Sequence, residues 1–296
     1  MVWPTSYLFS MIYRPLLLLL LATVAGSTVG CAAKLQSVLI GSLMEDVATA
    51  TARHDDPELV ATGVPTFLLL LEGLLEANPN DQKLLLSAAE AYTSYATLIE
   101  SDNLPRARRL YRRAKEYGIR ALPPQQAQLL QSPYPEFAAA VEKFNDSDLP
   151  AVFWTASSWG AWISTNTESM AALAELPKVI ALMHWVLARD DTYQNGSPHV
   201  FLGVYHSTLP PMLGGKPEQA AHHFDRALAI SQGRLLMFYV LKAKFYARQT
   251  FDRPLYESLL NKVLASPIDA APDFTLQNAA AQDQARILLG QTDDFF

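Results

Sequence analysis

The sequence predicts an all-α protein of paired helices, packed into a compact bundle or short solenoid of about 11 to 13 helices. Three observations predict it. Alanine and leucine are abundant while β-branched residues are sparse beyond the N-terminus, which favours helix. Apolar residues recur at helical spacing between clusters of Pro, Gly, Asn and Asp that stop and restart the chain. A triplet of the form Ala-x3-aromatic-x2-Ala occurs twice, at a constant offset of 113 residues. With 296 residues, 50% hydrophobic and 18% charged, the chain can bury a substantial core and reads as globular rather than disordered.

Residues 1–30 read as a processing segment outside the fold, with Arg14 as the positive region, Leu16 to Val24 as the apolar stretch and Gly26 to Gly30 as the small residues before a cut. The apolar run is too short to span a bilayer comfortably, and Met11 could be the true start. Cys31 is the only cysteine, and Thr28-Val29-Gly30-Cys31 resembles a bacterial lipobox. That resemblance implies lipidation of Cys31 and a mature chain beginning there; the other reading is an ordinary secretory signal with a stray cysteine. Ala32 in place of an aspartate after Cys31 resembles the pattern of lipoproteins sent to the outer membrane. The mature residues, 31–296, read as a single helical domain facing the periplasm.

Cleavage removes Arg14 and no acid, leaving 22 basic against 29 acidic side chains and a net charge of −7. This balance points away from nucleic acid. The basic cluster Arg106, Arg108, Arg109, Arg112, Arg113 and Lys115 lies on the polar side of one helix, as a solvated face or as a surface for an acidic partner.

After a first helix over Leu35 to Ala50, Asp56-Pro57-Glu58 opens a second, with a kink at Pro65 and a stop at Asn78-Pro79-Asn80. Its leucine-rich run reads as too short and too interrupted to cross a membrane. Asp81 to Ser101 and Pro105 to Arg120 make the first hairpin. Prolines then crowd the segment 123–150, where short helices fit Gln125 to Gln131 and Pro135 to Lys143, with Phe137, Val141 and Phe144 on an apolar face. Helices follow from Asp148-Leu-Pro, from Glu175-Leu-Pro through Val179 to Leu187, and over Leu235 to Arg248, Pro254 to Leu264 and Thr275 to Leu289. The terminal Phe295-Phe296 pair either tucks against the last helix or meets another subunit.

The stretch 195–227 organises the chain. Ser197 as N-cap and Pro198 as first helical residue predict a helix through Phe201, Gly203 and Tyr205, stopped by Pro210-Pro211 and Gly214-Gly215. Lys216-Pro217-Glu218 restarts it, and Ala220, Phe224, Ala227 and Leu228 share a face. Upstream, Ala107, Tyr111 and Ala114 repeat the spacing. This is the pattern of a tetratricopeptide (TPR) helical hairpin, in which small residues such as Gly203 and Ala220 allow close helix approach and Phe224 fills space towards the next hairpin. The connection is longer than a regular repeat allows and Gln232 stands where the pattern usually has proline; a generic helical bundle is the alternative.

Four of the five tryptophans fall between 154 and 185. Phe153, Trp154, Ser158, Trp159 and Trp162 crowd one helix among alanines, glycine and serines, as a tight core or as the wall of an apolar ligand cavity. The six histidines, His54, His184, His199, His206, His222 and His223, include a pair seven apart on one helix face and an adjacent pair on the next helix. Their spacing is not that of a metal site, which needs three or four converging ligands, so no metal or other cofactor beyond the lipid on Cys31 is expected. The sequence holds no Gly-x-Ser-x-Gly elbow, phosphate-binding glycine loop or paired cysteines, and predicts a protein that is not an enzyme.

The Cys31 region, the block Ala156-Ser-Ser-Trp-Gly-Ala-Trp-Ile-Ser164, Leu176-Pro177, Asn195-Gly196 and His199-Val-Phe-Leu-Gly203 together resemble one family. So do Leu209-Pro-Pro-Met-Leu-Gly-Gly215, Ala220-x3-Phe224-x2-Ala227, Leu288-Leu289 and Asp294-Phe-Phe. The family is the T component of tripartite ATP-independent periplasmic (TRAP) transporters. The resemblance implies an all-helical lipoprotein that partners a periplasmic TRAP substrate-binding protein, self-associates, and has an internal pore or cavity for a small organic ligand. It implies no catalytic residues. The alternative is an envelope protein-interaction scaffold without ligand transport, distinguished by an open polar groove instead of an enclosed apolar channel.

Overall fold

The computed structural model describes residues 46–208 and 215–296. Cys31, the signal segment 1–30, the Leu35 end of the first expected helix, and Pro210, Pro211 and Gly214 lie outside the described residues. The chain divides into two units, residues 1–51 and 52–296; in the first, the described residues 46–51 are helical. All that follows concerns the second.

Every regular element among the described residues is helical, and there are fourteen α-helices. The first three are capped by short polar side chains, of which the sequence reading named only the Asp56-Pro57-Glu58 start. Helix α1 (Pro57–Ala77) starts where the Asp56 carboxylate accepts from the Leu59 N–H at 2.9 Å, with Pro57 at the position whose N–H needs no partner. It continues through Pro65 and ends at Asn78. Helix α2 (Gln82–Ile99) is capped by Asp81, which accepts from the Lys83 and Leu84 N–H groups, and α3 (Leu104–Ala121) by Asn103, which accepts from Arg106. Contrary to the sequence reading, α1 has the length and composition of a membrane span; Val60, Leu68, Leu71 and Leu75 are buried against the fold, while Leu59, Leu69 and Leu70 are exposed. Glu72 on its side ties it to α2 and α3, accepting from the Tyr92 hydroxyl and pairing with Arg113 at 2.7 Å.

α2 and α3 run antiparallel, since Gln82 at the start of one donates to the Ala121 carbonyl at the end of the other, at 3.0 Å. Ala88, Ala89, Tyr92 and Ala96 meet Ala107, Tyr111 and Ala114 in one core, all 4% exposed or less. Buried alanines here have the close-packing role of small residues, while the tyrosines fill the remaining volume and keep their hydroxyls paired: Tyr111 donates to Glu100 at 2.7 Å.

The proline-rich segment forms α4 (Pro124–Leu129) and α5 (Tyr134–Val141), with Phe137, Val141 and Phe144 buried as expected. A 3₁₀ turn at Asp146–Asp148 leads into α6 (Leu149–Ser164); the buried Asp148 carboxylate accepts from the Gln126 amide and the Asn145 N–H. A one-turn α7 (Met170–Leu173), α8 (Leu176–Arg189), α9 (Tyr193–Ser207) and α10 (Pro217–Ile230) follow. α11 (Leu236–Leu241) widens into a π-helical segment, Lys242–Ala247, where an uninterrupted α-helix was expected. There the Lys242 ammonium is held by Asp225 at 2.5 Å. α12 (Arg253–Ala265), α13 (Thr275–Gly290) and the one-turn α14 (Thr292–Phe295) complete the chain.

The core falls into a large cluster from α1 to α9, which Leu202 joins, a second of α11 to α13, and a smaller one joining α9, α10 and the start of α11. Within the chain the C-terminal phenylalanines pack beside α12. Their rings lie edge-on to Tyr256 of α12, and the Arg248 guanidinium sits 3.5 Å from the Phe295 ring centre.

Candidate functional site

The α9–α10 hairpin has the close contact the sequence pattern predicted, with one correction to its detail. Ala220, Phe224 and Ala227 are fully buried. A Cβ built on Gly203 would stand 2.9 Å from Cδ2, 3.0 Å from Cε2 and 3.1 Å from Cγ of Phe224. The Phe224 ring therefore lies flat on Gly203 within its own hairpin, and reaches Leu235 and Phe238 of the next helix from there.

Entry to α9 also differs from expectation. Gln194, Asn195 and Gly196 are all left-handed (φ 48°, 58° and 86°), and right-handed helix begins only after them. Ser197 is consequently not an N-cap: its hydroxyl donates back to the Gln194 carbonyl at 2.7 Å. Glycine is favoured at 196, where an added Cβ would lie 3.2 Å from the Ala227 Cα in a backbone conformation that L-residues rarely adopt. At the far end, Gln232 and Gly233 are both left-handed, a conformation closed to the proline that the repeat pattern would place at 232.

The left-handed turn aims the start of α9 at two charged groups. Arg226 donates twice to the Asp191 carboxylate, at 3.1 and 2.6 Å, and this hydrogen bonding holds Asp191 below the usual carboxylate range. His199 stands behind Asp191, its Nε2 4.0 Å from Oδ2. Its Nδ1 lies 2.9 Å from Nδ1 of His223 on α10. His206 stacks on His223, ring centres 5.7 Å apart and planes within 10°, and His222 meets His223 edge-on. Burial, followed by the neighbouring histidines, pushes His223 down to about 4; burial also lowers His199, His206 and His184. Among the described residues no three His, Cys, Asp or Glu side chains converge on a metal-sized point.

The aromatic block is assembled on α6. Phe153 and Trp159 are 4% and 2% exposed, and Trp154 and Trp162 are half-buried against the same core. Phe153 contacts Trp154 and Tyr193 edge-on. The fully buried Ser158 hydroxyl donates to the Trp154 carbonyl of its own helix at 2.7 Å. Trp159 donates through Nε1 to Glu175 at 2.6 Å. Lys115 of α3 lies 4.3 Å from the Trp159 ring centre and 5.0 Å from that of Trp162, with Glu175 3.4 Å from its ammonium. Burial lowers the Lys115 pKa, and Glu175 opposes that shift. The block is thus the buried Phe153 and Trp159, with a half-buried Lys115–Glu175 ion pair over Trp159 and with Trp154 and Trp162 at its edge.

The basic cluster on α3 is largely engaged within the chain. Arg113 pairs with Glu72, Arg108 with Glu168 at 2.8 Å, Lys115 with Glu175, and Arg106 lies over the Tyr95 ring.

Sequence reasoning missed the Lys115–Glu175 pair and the joining of the histidines. The seven-residue spacing of His199 and His206 and the adjacency of His222 and His223 were the available signals for the latter.

These features define the class: an all-α protein of packed helical hairpins carrying an aromatic block and a histidine-rich seam. The chain belongs to the TRAP transporter T-component family, whose family model, TAtT, matches residues 53–296. Membership makes it an accessory component of a transporter, in a family of transport proteins and not of enzymes, associated with the bacterial envelope and with other TRAP components. An uncharacterized protein of Treponema pallidum (strain Nichols) is 24% identical over 278 residues, covering 85% of this chain and 84% of its own length.

Proposed function

We propose that this chain is a lipid-anchored, periplasm-facing TRAP accessory component that docks a periplasmic substrate-binding protein and binds or conducts a small organic ligand. The observation that carries the reading is the family match over residues 53–296. Cys31 carries the acyl anchor, seated in the outer membrane, and the mature chain self-associates. The helical hairpins are TPR-like: Ala107, Tyr111 and Ala114 in one and Ala220, Phe224 and Ala227 in the other occupy equivalent buried faces, which supports this reading. Ligand contact is assigned to the edge of the aromatic block, where Trp154 and Trp162 remain half-buried beside Lys115. An apolar face beside the Lys115–Glu175 pair suits an organic acid or another partly apolar molecule, with an acid taking the place of Glu175 at the Lys115 ammonium.

The test is affinity capture of the full chain from detergent-solubilised envelopes, with mass spectrometry of captured proteins and of small molecules released on denaturation. A TRAP substrate-binding protein is expected, together with an organic acid whose recovery falls in Trp162→Ala while the protein partner is retained. Capture of cell-wall or outer-membrane assembly proteins alone would replace the transport reading with that of an interaction scaffold.

A further inference from the structure

Five of the six histidines in the chain, all but His54, gather where α8, α9 and α10 meet. His199 is 7% exposed, His206 and His223 are half-buried, and His184 and His222 are exposed at the rim. The central contact constrains protonation. Two ring nitrogens 2.9 Å apart hold one proton between them, one ring donating and the other accepting. Asp191, 4.0 Å from Nε2 of His199, favours the tautomer with that nitrogen protonated. Nδ1 of His199 is then the acceptor and His223 the donor.

We propose that this seam is an acid-sensitive latch: it fastens α9 to α10 while neutral, and opens when like charges accumulate between the two helices.

The order of events follows from the neighbours. A first extra proton settles on His199, beside Asp191, and the Nδ1–H of His199 can then donate to neutral His223, so the contact survives. A second proton, on His223, leaves two N–H groups facing each other and breaks it. His206, stacked on His223, adds a third charge within the same seam.

The remaining facing groups do not offset this. Arg226 of α10 is occupied by Asp191, Lys216 before α10 disfavours charge on His206, and His184 of α8 and His222 add positive charge at the rim. Tyr205 stands beside His206, ring centres 5.0 Å apart. The π-helical segment packed on α9 brings Lys242, held by Asp225, and Lys244, which lies over Phe245. Among the described residues the acid beside His199 is Asp191, already shared with Arg226, and Asp225 is taken up by Lys242.

A histidine whose folded pKa is depressed contributes stability that is present above its unfolded value near 6.5 and lost as pH falls towards the folded value. The window therefore runs from about 6.5 down to about 4, the value for His223.

The experiment is hydrogen exchange by mass spectrometry on the full chain in detergent, as protection factors corrected for intrinsic rate, from pH 7.5 to 4.5. The α2–α3 pair, which has no histidine, is the internal reference. After discounting for the half-exposure of His223, α9 and α10 are expected to lose protection by about 10-fold or more relative to α2 and α3. His223→Gln, which keeps a polar side chain but cannot charge, is expected to remove most of that loss, and His54→Gln to leave it intact. Equal loss in both helix pairs would mean global acid unfolding and would overturn the latch. So would an unchanged loss in His223→Gln, or none in the wild type. If His223→Gln does not fold, the wild-type comparison of the two pairs decides the matter.

Discussion

Replacing Gly203 by alanine sets two effects of known sign against each other. In an exposed helix interior the change gains about 0.5–1 kcal/mol, because alanine has the better helix propensity. At Gly203 the new methyl would meet three atoms of the Phe224 ring at 2.9–3.1 Å, closer than carbon atoms pack. Phe224 is fully buried against Val200, Ala227, Leu235 and Phe238, so its ring has no free volume to retreat into. Overpacking of this kind costs roughly 1–3 kcal/mol, which outweighs the propensity gain and leaves a net loss of about 1 kcal/mol. In a unit of this size that lowers the melting temperature by ~2–4 °C. The matched control is Gly63→Ala in α1, where an added Cβ meets nothing within 4 Å and the residue is exposed. There only the propensity term acts, and the melting temperature should rise by ~1–3 °C. Thermal unfolding followed by circular dichroism gives both signs. A Gly203→Ala protein as stable as wild type would refute the close approach of α9 and α10, and Gly203→Ala with Phe224→Leu should recover part of the loss through coupling.

Phe224→Ala should cost about 3–5 kcal/mol by cavity formation, measured by denaturant unfolding. Gly196→Ala combines left-handed strain with a contact to Ala227 and should destabilise by ~2–3 kcal/mol in the same assay, while Gly196→Asn, which tolerates the left-handed region better, should cost less. Trp159→Phe removes the indole donor to Glu175; because that carboxylate is partly exposed, water replaces the bond and the loss is held to ~0.5–1.5 kcal/mol. Burial, and the negative charge of Glu100 or Glu72 next to them, raise the pKa of Tyr111 and Tyr92. The unfolded chain releases these protons first, so stability is present below pH ~10 and falls above it. Spectrophotometric titration should find tyrosines that ionise only on unfolding.

Local chemistry made much of the fold readable. Asp56, Asp81 and Asn103 each cap the helix that the sequence places after it, because a short polar side chain followed by a proline or an apolar run satisfies the same orphan N–H groups wherever it occurs. The buried faces of α3 and α10 were legible for the same reason, since a spacing of three and four residues decides which side chains share a face. The left-handed turn at 194–196 was not. Asn195-Gly196 is compatible with it, but Gln194 has no local reason to adopt it, and it is fixed by the packing of Gly196 against Ala227 and Ile230 more than thirty positions downstream. The candidate site divides in the same way. Periodicity grouped the tryptophans, but Lys115, which lies over two of them, comes from a helix more than forty residues earlier. Spacing put His199 and His206 on one face; only tertiary packing could bring His223 to 2.9 Å from His199.

On the proposed function, this chain docks the substrate-binding protein of its own transporter. The most direct measurement is a binding titration by biolayer interferometry, with the full chain immobilised in detergent and the purified cognate TRAP substrate-binding protein in solution. A periplasmic binding protein of an unrelated transporter serves as the control. Saturable binding of the cognate protein, retained in Trp162→Ala and absent with the control, is the predicted result. Equal binding of both proteins, or no binding of the cognate one at concentrations up to ~100 μM, would contradict the account.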